Sequence, residues 1–233
     1  MNKRNVIGCL AASTLVLALV ACGPKEAPKP APPPPPKPQI VIPPKPYPPQ
    51  GASPLLPVPQ VGADGLFQSV NRGISPAQIT WNLRAAYNVG ALNCPSPARE
   101  TITAGYRAFL QKHSRGLAAA NRTVDAEWRA KYGASFVRER EKYMTEVYNH
   151  YALPPAMGEF CNAILAVSRD GALIKTTELA DFSARSLPSV EIVYDDFFRR
   201  YAQYRTDLAS WEARYGALVN AQPSTATGQT KAQ

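Results

Sequence analysis

Val193-Tyr-Asp-Asp-Phe-Phe-Arg-Arg-Tyr-Ala-Gln-Tyr-Arg-Thr-Asp-Leu-Ala-Ser-Trp-Glu-Ala-Arg-Tyr-Gly-Ala-Leu218 is the stretch that decides the fold. Within it Val193, Phe197, Tyr201, Tyr204, Leu208, Trp211, Tyr215 and Leu218 recur at intervals of three and four residues. That interval lines one face of an α-helix. Aromatic side chains so spaced pack a core in preference to forming a ligand cage. The stretch predicts a last helix over about 189–218, entered through Ser186-Leu187-Pro188.

The same period extends upstream. Ser75-Pro76-Ala77-Gln78 combines a capping serine, proline at the first helical position and glutamine three after the cap. Ile79, Leu83 and Tyr87 follow at helical spacing, and Gly90 stops that helix. Ser96-Pro97 opens a second, whose face runs Ile102, Tyr106, Phe109, His113, Leu117, Val124, Trp128 and Tyr132. The reading is one long helix ended by Gly133; a break near Ser114-Arg115-Gly116 is the alternative, because glycine weakens a helix interior. A third helix is expected over Ser135–Tyr151, with ion pairs on its solvated flank, and a fourth from Pro155 to Arg169, ended by Asp170-Gly171. A short helix near Thr177–Ser186 precedes the last one. No alternation of period two appears. The expected fold is therefore all-α, an antiparallel bundle of long helices. Residues 122–134 and 205–217 resemble each other, each placing Trp and Tyr four apart before a glycine, and read as two similar helix ends.

At the other end, Lys3 and Arg4 precede a mostly apolar run from Val6 to Val20, the pattern of a secretory signal. The run closes on Leu19-Val20-Ala21-Cys22 and is too short for a comfortable membrane span. It resembles the lipobox of bacterial lipoproteins. The resemblance covers residues 1–22 and implies a diacylglyceryl thioether on Cys22, cleavage before it and acylation of the new amine. Several acyl chains are what stable anchoring needs. Gly23, where an Asp would retain such a protein at the inner membrane, implies the outer membrane.

The organisation expected is signal peptide 1–21, lipidated cysteine and proline-rich linker 22–61, helical domain 62–220 and polar tail 221–233, disordered like the linker. Prolines fix φ and remove donors, so the linker reads as an extended polyproline spacer. Docking of its PxxP segments on an aromatic groove, or of its lysines on anionic envelope polymers, are the alternatives. The chain has formal charge +9, much of the excess lying in the linker. A basic face for nucleic acid is not expected.

Cys94 and Cys161 are the two cysteines of the domain. Export to an oxidising compartment favours a disulfide, with two buried free thiols as the alternative. A metal site with His113 and His150 lacks the close ligand pairs such sites use. His113 and His150 read as core residues. No GxSxG, HExxH, P-loop or GxGxxG is present, so no cofactor is expected and no catalytic residue is assigned. Glu159, Asp195 and Asp196 are wall-hydrolase acids by residue type alone. The functional expectation is a lipid-anchored, periplasm-facing binding or scaffold domain whose partner is an envelope protein or peptidoglycan. A cell-wall hydrolase and an adaptor of a secretion or assembly machine are the alternatives.

Overall fold

A computed structural model of the chain describes residues 40–221. The signal, Cys22, the linker through residue 39 and the tail from 222 lie outside the described residues. The chain divides into two units at Val41/Ile42. Of the first, only Ile40 and Val41 are described, without helix or strand.

The second unit is all helix: α1 (Pro76–Asn93), α2 (Ala98–Lys112), α3 (Ser114–Tyr132), α4 (Phe136–Tyr151), α5 (Met157–Leu173) and α6 (Leu179–Ala221). A lone bridge pairs Val61 with Phe67, and no strand occurs among the described residues. Ser75 caps α1 as expected: its Oγ accepts from the Gln78 amide, with Pro76 at the first position. α1 is the hub and touches α2, α3, α4, α5 and α6. A helix enclosed on so many sides must be thin. Accordingly Ala85, Ala86 and Ala91 are buried beside Leu83, Tyr87 and Val89. Gly90 lets α5 come close, since a Cβ there would sit 2.7 Å from Ile164 Cγ2. Gly105 of α2 has the same role, because a Cβ would meet Ser168 Oγ at 2.2 Å.

Cys94 ends α1 and Cys161 lies in α5; their sulfurs are joined across 67 residues of sequence, and both cysteines are buried. The bond ties the hub to its close neighbour.

Gly90 does not stop α1, which runs on to Asn93 with Gly90 buried inside it. Four further expectations need correction. First, the second helix is two. His113 leaves helical geometry (φ −104°, ψ 14°) and α3 starts at Ser114. The break lets α2 pack on α1 and α5 while α3 turns to α1 and α4, which one straight rod does not allow. Second, α5 runs through Gly171, which faces the Phe182 ring. Third, Pro188 interrupts nothing: it lies inside the 43-residue α6, about 65 Å long at 1.5 Å per residue. Proline removes the amide that would reach the Ala184 carbonyl. The helix continues because Phe182, Leu187, Val190 and Tyr194 on either side are all buried. Gly216 accordingly sits within α6, whereas Gly133 does end α3, at φ 55°.

Fourth, the ordered body begins twenty residues before the expected boundary at 62, at Ile42. Residues 42–61 form a strap fastened to α6. Trp211 Nε1 donates to the Pro43 carbonyl at 2.8 Å, and Tyr201 Oη donates to Ser53 O at 2.8 Å while accepting from the Leu56 amide at 3.1 Å. Ala52 is buried. The strap turns at Gln50-Gly51, both at positive φ (52° and 69°). There Gln50 Nε2 and Arg200 Nη2 share the Glu159 carboxylate. This half of the proline tract is therefore not a free spacer.

Cys161→Ser opens the 67-residue loop. The chain-entropy estimate is a loss of about 4 kcal/mol, read as a lower urea midpoint at unchanged slope. An unchanged midpoint contradicts the structural role given to this bond.

Candidate functional site

The interior holds a continuous chain of polar side chains that composition does not reveal. Glu191 of α6 is buried, 4 % exposed. Its Oε1 accepts from Asn71 Nδ2 at 2.7 Å and lies 3.0 Å from His150 Nε2; its Oε2 accepts from Ser69 Oγ at 2.7 Å. Asn71 also donates to Tyr151 Oη at 2.9 Å. Asn82 Nδ2 donates to Asn71 Oδ1 and to Tyr143 Oη, which donates onward to the Val70 carbonyl. Gln78 Nε2 donates to Asn82 Oδ1, and Trp128 Nε1 closes the chain on Gln78 Oε1. The Gln78 side chain is thus used for the interior, not for the capping box its spacing suggested.

The physical reason for so many donors is the charge. Burial alone raises the Glu191 carboxyl, but the contacts from His150, Ser69 and Asn71 outweigh it and hold it below its ordinary value near 4.5. The carboxylate is kept ionised, which suits a structural anchor and not a proton donor. Its neighbours respond in the opposite sense. Burial, and then the Glu191 charge, push the Tyr151 and Tyr194 hydroxyls well up. Burial drives Tyr143 up to about 12. Next to this, Arg72 Nη2 meets Asp195 Oδ2 at 2.5 Å and Arg72 Nε donates to the Phe67 carbonyl. Loop 69–72 is thereby bolted to α1, α4 and α6.

The residues singled out from sequence do not converge. His150 joins Glu191, whereas His113 lies elsewhere, tilted against Phe109 with ring centroids 5.0 Å apart and with neither nitrogen bonded among the described residues. Burial lowers its pKa, as does the nearby Lys112 charge. Glu159 is spent on Arg200 and Gln50, Asp195 on Arg72, and Asp196 on Arg199 at 2.5 Å. Cys22 lies outside the described residues. Sequence reasoning missed Glu191. Its signal was register: it stands four after Leu187 and three before Tyr194, on the apolar face of α6.

The open surface has a different chemistry. A groove of about 290 Å³ runs between α1, α3 and α4, walled by Trp81, Phe136, Met144 and Tyr148 and edged by Arg84 and Arg140. The Arg84 guanidinium lies 4.7 Å from the Trp81 ring centroid and that of Arg140 5.5 Å from it. Arg140 is held in place by Asp125 and by Asn121 Oδ1 at 2.6 Å. Aromatic faces beside fixed guanidinium groups can stack on and hydrogen-bond a ligand. No group of three or more metal-ligating side chains occurs among the described residues. No helix among the described residues is long and apolar enough to cross a membrane.

Comparison with protein-family models found no match, and searches of curated proteins and of solved structures found none either. The site therefore has to be read from its own geometry.

Glu191→Gln removes the charge and leaves its donors in place. We expect a loss of about 3 kcal/mol at neutral pH, in the range for breaking a buried ion contact. Because the folded carboxyl is depressed, its stabilisation is present above about pH 4.5 and lost as pH falls through the folded value. Urea titrations from pH 3 to 7 should show a shallower acid limb in the variant; parallel curves contradict the assignment. His113→Met removes a buried, unbonded imidazole and should gain about 1 kcal/mol at pH 7. The folded His113 pKa is also depressed, so the native protein loses stability as pH falls from 6.5 toward that value. The variant should lack this step, and a destabilised variant contradicts it.

Proposed function

We propose that this is a lipid-anchored envelope protein, attached to the outer membrane through acylated Cys22 and presenting its helical bundle as a binding or scaffold domain. The observation that carries the binding reading is the Trp81 groove, where arginines edge a wall of aromatic rings. The titratable groups that could run a reaction are used differently: Glu191 is ionised and enclosed, and Glu159, Asp195 and Asp196 are each paired with an arginine. The anchor rests on Leu19-Val20-Ala21-Cys22 behind a basic and then apolar start, and the membrane assignment on Gly23. The partner in this reading is an envelope protein or peptidoglycan.

Cells fed labelled palmitate should label the chain, and Cys22→Ser should abolish the label and move the protein to the soluble periplasmic fraction. Purified protein incubated with peptidoglycan should release no soluble muropeptides. A photo-crosslinker at exposed Val137, on the groove edge, should give an adduct that Trp81→Ala loses without unfolding. An unlabelled chain overturns the anchor; muropeptide release overturns the binding reading.

A further inference from the structure

The strap shows what the far end of α6 can hold. From residue 205 to 220 α6 carries no buried residue. Its Trp211 and Tyr215 nevertheless form a shelf, and a proline segment of the chain is seated on it. The seat uses the chemistry by which aromatic grooves read polyproline helices. The Trp211 indole donates to the Pro43 carbonyl at 2.8 Å. The Lys45 ammonium stands 2.9 Å from Glu212 Oε1 and 5.6 Å from the Trp211 ring centroid. Proline fixes the backbone of its ligand in advance, so little ordering is needed on docking.

The seated motif is Pro43-Pro44-Lys45-Pro46, and the same tetrapeptide stands eight residues earlier as Pro35-Pro36-Lys37-Pro38. Pro28-Lys29-Pro30 continues the spacing. Each chain thus carries the shelf and a second copy of the seated motif. The seated copy is held at the surface: Pro43 and Pro44 are exposed, and the side chains of Lys45 and Glu212 are 51 % and 53 % exposed. Such an ion pair holds weakly. Open volume remains on both sides of Trp211, about 320 Å³ toward Arg214 and about 460 Å³ toward Ala217.

We propose that the Trp211 shelf is a binding site for Pro-Pro-Lys-Pro segments in the polyproline conformation, and that its second ligand is the Pro35–Pro38 repeat of another copy of this chain. Trp211 supplies the hydrogen bond, Glu212 selects the lysine and Tyr215 extends the apolar floor. Exchange of one repeat for the other links neighbouring copies through their proline tracts. The inference goes beyond the proposed envelope function and does not depend on acylation of Cys22.

The test uses the full chain and the synthetic peptide Pro-Pro-Pro-Pro-Pro-Lys-Pro-Gln, copied from residues 32–39. Indole resonances are followed by nitrogen–proton correlation spectra. The peptide should move the Trp211 signal saturably and leave Trp81 and Trp128 in place. Lys45→Ala weakens the resident segment, so the peptide should then bind roughly fivefold tighter, because less of the site is pre-occupied. Glu212→Gln should weaken peptide binding, and Trp211→Phe should lose it with the helical signal intact. Sedimentation of the full chain should show concentration-dependent association that Lys37→Glu abolishes. A Trp211 signal that stays fixed in the Lys45→Ala chain overturns the site. A chain that binds peptide but stays monomeric at millimolar concentration overturns the second copy as its occupant.

Discussion

A carboxylate ionised inside a helical bundle is the constraint on which the rest of the structure depends. A charge out of water is costly unless donors surround it. Glu191 obtains them from two elements: Ser69 and Asn71 of the loop before α1, and His150 of α4. Satisfying it therefore fixes the loop, and the loop fixes the entry to α1 through Asn71 and Asn82. Because α1 touches every other helix of the bundle, its placement sets the others. The disulfide adds a covalent tie from the far end of α1 to α5.

The polar chain and the open groove use different side chains of the same helices. Two aromatic members of the polar chain, Tyr143 and Trp128, pack against each other at 5.1 Å and carry it from α4 to α3. The Trp81 groove lies along the same helices but presents rings and guanidinium groups outward. The buried Glu191 charge and the guanidinium groups at the groove thus belong to different side chains. The α6 arm beyond Tyr204 is a second surface, with no fully buried residue among those described.

Helix positions were legible in the sequence where one periodic face ended in a local signal. Ser75-Pro76 and Gly133 are such signals, and the structure has α1 starting and α3 ending there. Breaks decided by packing were not legible. Gly116 offered a break beside His113, but the apolar face continues across it, and the spacing favoured one long helix over the two that form. Pro188 misled in the opposite sense, because burial on both sides of it maintains a helix that local chemistry disfavours. The proline tract suggested only stiffness, and Trp211 only core packing; that one seats the other depends on a 168-residue separation. The disulfide was legible as an even pair of cysteines downstream of a stretch that resembles an export signal. The buried carboxylate was not, because one acid on an apolar face resembles any surface acid until its donors, distant in sequence, are brought to it.

Side-chain carboxyl carbon NMR of the full chain, titrated from pH 7 to 3, tests the central claim most directly. The account predicts that the Glu191 carbon keeps its ionised shift past the midpoints of the exposed glutamates and titrates below pH 4.5. A Glu191 carbon with the protonated shift at neutral pH would contradict it: the interior would then hold an acid with a proton to donate, in place of an anion anchored by its neighbours.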